Sequence, residues 1–225
     1  MPRFTIITIT RNNVNGLGAT WNSLRAQRYT DAEWIVVDGA STDSTLEFLK
    51  DKPALTISEP DRGIYDAMNK GIDRASGDYL IFMNAGDCFA HNTVLSTLTE
   101  ALKTNPAFLY ADALEGGHLK QSRSHKRSNQ GMFTHHQAMV YNRAALADLR
   151  YDLRYPIAAD YDLTLRFLKN LNEADIVYWP HPLCIFEPGG ISQRRAVQGR
   201  AEQYAIRRTL GLPFNRLIFT AQTLG

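Results

Sequence analysis

Over roughly the first half of the chain, short apolar runs alternate with stretches whose apolar residues recur every three or four positions. Phe4 to Thr10 (FTIITIT) is β-branched and aromatic, as a strand requires. After a polar turn, Arg11-Asn12-Asn13, Leu17, Trp21 and Leu24 fall on one side of a helix. Trp34 to Asp38 is a second short buried strand, and Gly39-Ala40-Ser41-Thr42-Asp43 a turn rich in capping residues. The next helix should point Leu46 and Leu49 inward, before a third strand at Leu55 to Ser58. Ile64, Met68 and Ile72 mark the apolar stripe of a further helix, with small residues at 67, 71 and 75 between them. Tyr79 to Met83 is apolar without interruption, which suits a strand covered on both faces. Asn92 caps a helix facing inward through Val94 or Leu95, Leu98 and Leu102, and Pro106 to Tyr110 forms another strand. This rhythm predicts an α/β fold, a Rossmann-like, mostly parallel sheet flanked by helices.

Beyond Tyr110 the alternation loosens. Gly116 to Gln130 holds Lys120, Arg123, Lys126 and Arg127 with two histidines and no acid, so it reads as a solvated loop or a contact for substrate phosphates or an acidic acceptor. His135 to Val140 reads as a strand entered by two histidines, and Pro156 to Asp162 leads into a helix with Leu163 and Phe167 on one face. Ile176 to Trp179 and Leu183 to Phe186 are two short strands, and Gly189 to Ser192 a flexible loop. From Arg194 onward six arginines accompany one acid, Glu202, while Val197, Ala201, Tyr204 and Ala205 recur at helical spacing and Leu217-Ile218-Phe219 follow. Such a basic amphipathic tail either packs on the domain or lies on an anionic membrane surface. The expected organisation is one domain over 1–192, nucleotide-binding over about 1–110 and acceptor-binding over 111–192, then a tail over 193–225.

With 25 basic and 23 acidic residues the net charge is +2, which points to no nucleic-acid partner. Two cysteines, Cys88 and Cys184, make no disulfide framework and fit a reducing cytoplasm. No run approaches the length of a membrane span, and the amino terminus reads as a first strand and not as a signal peptide. A G-x-G-x-x-G turn is missing after the first strand, which disfavours a dinucleotide cofactor.

Three acids end apolar or turn segments: Asp38, Asp87 and Asp160. Each has a solitary explanation as a cap or turn residue. Together they match three needs of one reaction: an acceptor for the N–H of a nucleotide base, a carboxylate for a hard divalent cation, and a general base for a hydroxyl.

Three blocks carry a resemblance: Val36-Val37-Asp38-Gly39-Ala40-Ser41-Thr42-Asp43, Asp61-Arg62-Gly63-Ile64-Tyr65-Asp66-Ala67-Met68-Asn69-Lys70-Gly71-Ile72, and Gly77 to Asp87. His136-Gln137-Ala138, Ala159 to Leu163 and Gly189-Gly190-Ile191-Ser192 extend it. Over about residues 4–192 the chain resembles the family-2 inverting glycosyltransferases of the GT-A fold, especially small bacterial members of polysaccharide and glycolipid assembly. The resemblance implies a nucleoside-diphosphate sugar donor, uridine diphosphate by default, and a glycan or lipid-linked acceptor; the basic tail would place the enzyme at the inner face of the cytoplasmic membrane, where a lipid-linked acceptor is met. It places Thr10, Asp38, Arg62 and Asn69 at the nucleotide, with Asp38 on the base N–H. It puts Mg²⁺ or Mn²⁺ on Asp87, makes Asp160 the catalytic base, lines the acceptor or donor-sugar side with His136 and Gln137, and closes the Gly189-Gly190 loop over the donor. The usual Asp-x-Asp metal motif is here Asn84-Ala85-Gly86-Asp87, and the acidic pair before the base is reduced to Ala159-Asp160. Asp162 is the substitute for Asp160, although Arg166 four residues on offers it an ion pair. The thinned metal motif also keeps open a donor-binding subunit with little activity. Sugar-1-phosphate nucleotidyl transfer is disfavoured, because Arg11-Asn12-Asn13 poorly replaces a Gly-rich basic turn.

Overall fold

In chain order the elements are β1 (Phe4–Thr10), α1 (Val14–Arg25), β2 (Ala32–Asp38), α2 (Thr45–Leu49), β3 (Ala54–Ser58), α3 (Ile64–Arg74), β4 (Tyr79–Phe82) and β5 (Cys88–Phe89). There follow α4 (Val94–Ala101), β6 (Phe108–Glu115), β7 (His118–Lys120), β8 (Met139–Asn142), α5 (Arg143–Leu146), α6 (Ala159–Leu168), β9 (Ile176–Phe186), α7 (Ile191–Arg194) and α8 (Ala196–Thr209). This is a computed structural model, and it describes residues 3–186 and 189–212.

The strands form a single sheet in the order β3-β2-β1-β4-β8-β6-β9-β5, with β7 hairpinned onto β6. Strands β1 to β4 pair in parallel, joined by right-sized helical crossovers, whereas β8 runs antiparallel to both β4 and β6. The sheet is therefore parallel in its first half and mixed in its second, where β9 again pairs in parallel with β6. β4 shows why the sequence looks as it does. Tyr79, Ile81 and Met83 join the core on one face, and Leu80 and Phe82 join the core on the other. A strand covered on both sides has no position left for a polar residue. Each such fully buried side chain contributes about 1.5–3 kcal/mol relative to exposure.

Helices α1 and α4 cover one face and α3 and α6 the other. Trp21 of α1 stacks on Trp34 of β2 at 4.9 Å, and the Trp34 indole N–H donates to the buried Thr8 hydroxyl at 2.9 Å. Gly71 lets α3 lie tight on β1, since a Cβ there would stand 2.5 Å from Ile7 Cγ2.

Several expectations change. Leu46 of α2 is 41% exposed, and the short helix turns Thr45 and Leu49 inward instead. His136–Ala138 is a 3-10 turn, and the strand starts only at Met139. The two late strands are one, β9, whose pairing with β6 shifts register around Asp112 opposite Pro182. The proline-bearing segment Pro180-His181-Pro182 costs ladder hydrogen bonds, yet the strand resumes beyond it. In α8 Val197 is 67% exposed, and Gly199, Ile206 and Arg207 are the residues that face inward. Polar and small positions carry that contact: Gly199 meets Ile157, and Glu202 Oε2 accepts from the Ile157 and Ala158 amides at 2.8 and 2.9 Å. The apolar Leu217-Ile218-Phe219 lies outside the described residues, as do residues 187–188.

Candidate active site

The carboxyl ends of β1, β2 and β4 deliver three of the named residues to one edge. Thr10 and Asp38 are paired in the β1–β2 register. From β4 the chain enters a turn, Asn84 to Asp87, closed by the Asp87 amide on the Asn84 carbonyl at 2.9 Å. Gly86 holds φ 111 there, a conformation other residues rarely adopt. Thr20 of α1 clasps this turn: its hydroxyl donates to the Asp87 carbonyl at 2.8 Å and accepts from the Gly86 amide at 3.0 Å. Asn13, the cap of α1, donates to the Ala85 carbonyl at 3.2 Å. The Asp87 turn is thus built by α1, a contribution no sequence motif announced.

Asp38 is fully buried and densely hydrogen-bonded. It accepts from the Ser41 amide at 3.1 Å, from the Ser41 hydroxyl, and from the Ser58 hydroxyl at 2.6 Å. Thr10 beside it is buried too, and its hydroxyl oxygen has no partner among the described residues. Asp87 is 4% exposed, and its Oδ2 accepts from Gln137 Nε2 at 2.8 Å. In the same turn the Asn84 Oδ1 is buried without a hydrogen-bond partner.

Gln137 faces two ways, because it also lines a cavity of about 610 Å³ together with Asn84, His136, Asp160 and Gly190. The cavity lies between the sheet, the β7 hairpin, the first turn of α6 and the inner face of α8. Asp160 opens α6. Its Oδ1 accepts from the Tyr161 amide at 2.8 Å and stands 3.0 Å from the Tyr65 hydroxyl. Burial pushes the Asp160 carboxyl up to about 6, against the pull of those two donors, and the negative Glu202 nearby adds to the rise. A carboxyl so placed changes charge close to neutral pH, as a general base requires.

Behind Asp160 lies an aromatic support. Tyr65 stacks on Tyr151 at 5.2 Å, and Tyr151 Oη lies 2.7 Å from His136 Nε2. His136 packs on Phe82 at 4.8 Å, and complete burial pushes its imidazole down to about 4, so it is neutral. Asn69 pairs with the Tyr151 backbone through both ends of its amide, at 2.8 and 3.0 Å.

The cavity therefore brings together Asp160, His136, Gln137 and Gly190, and Gln137 joins it to Asp87. Thr10 and Asp38 stand at the neighbouring sheet edge. Asn69 is committed to Tyr151 and does not line the cavity. Arg62 is largely exposed and pairs with Asp66 at 2.9 Å. Asp162 is held by Arg166 at 2.7 Å, the ion pair its spacing suggested. Gly189 accepts from Arg194 at 2.7 Å through its carbonyl, and the loop expected over Gly189 to Ser192 gives way at Ile191 to the helical turn α7.

The profile of the family described as "Glycosyl transferase family 2" matches residues 5–158. The chain belongs to that family. An uncharacterized glycosyltransferase of Mycobacterium tuberculosis is 34% identical to it over 214 residues, covering 86% of this chain and 78% of that one. A "PGL/p-HBAD biosynthesis glycosyltransferase" of Mycobacterium bovis is 31% identical over 185 residues, covering 75% of this chain and 71% of the relative. Among solved structures, residues 1–349 of S. aureus TarS in complex with UDP-GlcNAc superpose with a TM-score of 0.75 at 17% identity, covering 98% of this chain and 70% of that chain. Glucosyl-3-phosphoglycerate synthase of M. tuberculosis, in complex with Mn²⁺, UDP and glucosyl-3-phosphoglycerate, reaches 0.69 at 15% identity over 95% and 82%. The mixed sheet flanked by helices is thus the fold of the GT-A glycosyltransferases. Among the described residues no helix is long and apolar enough to cross a membrane.

Whether the site suits a divalent cation is decided by its donors. Among the described residues no three metal-ligating side chains of His, Cys, Asp or Glu cluster together. One turn, however, offers the Asp87 carboxylate and the unpartnered Asn84 amide oxygen. Mg²⁺ and Mn²⁺ favour hard oxygen donors, and Mg²⁺ sites beside nucleotides use one or two carboxylates with phosphate and water completing the shell. The donor set fits such an ion when a diphosphate accompanies it.

Proposed function

We propose that the protein is a metal-assisted inverting glycosyltransferase moving a sugar from a nucleoside diphosphate, uridine diphosphate in the first instance, to a hydroxyl of a glycan or lipid-linked acceptor. The observation that carries this reading is Asp160: a carboxyl raised to about 6, oriented by Tyr65 and the Tyr161 amide, in the wall of the cavity that Gln137 connects to Asp87. In the ionised form Asp160 takes the proton from the acceptor hydroxyl as its oxygen bonds to the anomeric carbon. The bond from that carbon to the diphosphate oxygen breaks on the opposite side, so the configuration inverts. Asp87 and Asn84 would hold the divalent cation, which neutralises charge on the departing diphosphate.

The buried, unpartnered Thr10 hydroxyl and the fixed Asp38 carboxylate suit recognition of a base N–H at the sheet edge. UDP and UDP-sugar complexes of the structural relatives support the same donor class. The M. bovis relative supports a role in glycolipid assembly. Asp160→Asn tests the assignment: transfer should fall about 10²–10⁴-fold, the range of general-base catalysis, while UDP affinity stays within twofold. Loss of UDP binding in step with turnover would sink it. A donor-binding subunit with little activity would instead bind UDP and show neither transfer nor donor hydrolysis.

A further inference from the structure

Resting on the transferase reading, we propose that the acceptor is anionic, and that Arg123 and Arg200 form the subsite for its phosphate group. Asp160 is the one acid among the residues lining the cavity, against Lys120, Arg123 and Arg200. Lys120 already has a carboxylate, Glu115, at 3.1 Å. Neither arginine forms an ion pair among the described residues. Arg123 spends one Nη2 bond on the Met132 carbonyl at 2.7 Å and is otherwise exposed. Arg200 is half-buried, and its Nε is shut away from solvent with no acceptor.

The two side chains come from different elements that meet at one point. A Cβ built on Gly131 would lie 3.9 Å from Arg123 Nη2 and 3.5 Å from Gln203 Oε1 of α8. Arg200 and Gln203 stand on the cavity side of that helix. Ordinary solvated arginines explain Arg195 and Arg208, which are exposed. They do not explain Arg200, because a guanidinium donor removed from water without an acceptor costs free energy until an anion reaches it. Arg207 is the instructive contrast. It also buries an Nε, but its Nη1 lies 3.4 Å from the Asn129 carbonyl, its guanidinium sits 6.0 Å over Tyr161, and it does not line the cavity. The surroundings of Arg207 are structural, whereas Arg200 lines the cavity.

Two guanidinium groups lining one cavity suit phosphate, which takes their N–H groups in pairs. A cavity of about 610 Å³ holds a sugar and a phosphate together. The donor diphosphate is assigned elsewhere, to the Asn84–Asp87 turn on the sheet side, so these arginines are left for the molecule that receives the sugar.

Calorimetric titration of the full chain, saturated with UDP and Mn²⁺, with geranyl diphosphate and with inorganic pyrophosphate tests this. One of the two should bind at a single site, at least tenfold more weakly to Arg200→Ala and Arg123→Ala and unchanged in Arg208→Ala. Tighter binding of the geranyl ester identifies a lipid diphosphate; equal binding identifies a phosphate recognised without its lipid. Binding of neither probe, or binding indifferent to both substitutions, overturns the subsite. So does a tenfold loss of UDP affinity in the folded variants, which would give the arginines to the donor. Failure of UDP to bind the native protein counts against the transferase reading instead. Geranyl diphosphate titrated into the unliganded chain, with Arg200→Gln as the milder variant, then reads the subsite alone.

Discussion

The two sides of the site are built on opposite principles. On the sheet edge the carboxylates are held fast. Asp38 accepts from Ser41 and Ser58, and Asp87 is fixed by Gln137 and by a turn that Thr20 clasps. On the α6–α8 side the charged groups are under-supplied: Asp160 is pushed toward neutrality by burial, and Arg200 has a buried donor without an acceptor. Side chains fixed by hydrogen bonds hold a ligand in one pose. Poorly solvated groups are costly at rest and become favourable when substrate arrives. On the proposed function, positioning falls to the sheet and chemistry to the helices, and that division can be attacked from either side.

The largest effect expected on the sheet side is at Asp87. Asp87→Ala removes the only carboxylate of the Asn84–Asp87 turn and leaves the Gln137 amide without its acceptor. Transfer should fall about 10²–10³-fold, the scale of losing an electrostatic stabiliser of the leaving group. UDP affinity should also cease to depend on Mn²⁺, read by thermal shift across a Mn²⁺ titration. A variant whose UDP binding still responds to Mn²⁺ would place the cation elsewhere.

The helix side predicts an effect of opposite sign on stability. In the folded chain Asp160 titrates near 6, above the value of about 3.9 it takes when unfolded. Between those values the folded state binds the extra proton, so stability declines as pH rises from about 4 to about 6. The penalty is complete at pH 7. Asp160→Asn lifts it, and the variant should be more stable than the native chain at pH 7 by on the order of 1–3 kcal/mol. Below pH 4 the two should unfold alike. Denaturant melts at both pH values check this, and a destabilised variant at pH 7 would contradict the strained carboxyl. No such gain is expected from Asp38→Asn, because the amide would turn an NH2 donor toward the Ser41 and Ser58 donors that the Asp38 oxygens now accept from.

The same contrast decides what could be read from the chain beforehand. β1, β2 and β4 were legible because strands buried on both faces leave uninterrupted apolar runs, and Asp38 and Asp87 followed from their place at the ends of such strands. The α8 contact was not legible. Its inward residues are Gly199, Glu202 and Ile206, and Glu202 bonds to backbone amides 44 and 45 residues earlier, so no hydrophobic period reveals it. Val197, Ala201 and Ala205 drew attention by their spacing and lie on the outer face. Asn69 belongs to a matching motif, yet its amide is spent on the Tyr151 backbone, a partner 82 residues away. Tyr65 was inside a quoted block without a role. Only the fold shows that its hydroxyl reaches Asp160.

Tyr65 gives the smallest and most discriminating prediction. Its ring is buried and stacked on Tyr151, so Tyr65→Phe keeps the packing and deletes only the hydroxyl. That hydroxyl favours the ionised carboxyl of Asp160, and its loss should raise the pKa of the base. The acid limb of the kcat/KM profile then moves to higher pH, by up to one unit for a neutral hydrogen bond worth about 1 kcal/mol. Turnover at pH 6 should drop several-fold, while above pH 8, with Asp160 ionised in both proteins, the rates should converge. A merely structural tyrosine predicts something else: a loss of the same size at every pH, with the limb unmoved. Because the hydroxyl also lies 2.8 Å from the Ile157 carbonyl, a uniform loss would mean that Tyr65 acts by holding the start of α6. A shifted limb that closes at high pH makes it the residue that sets when Asp160 can accept a proton.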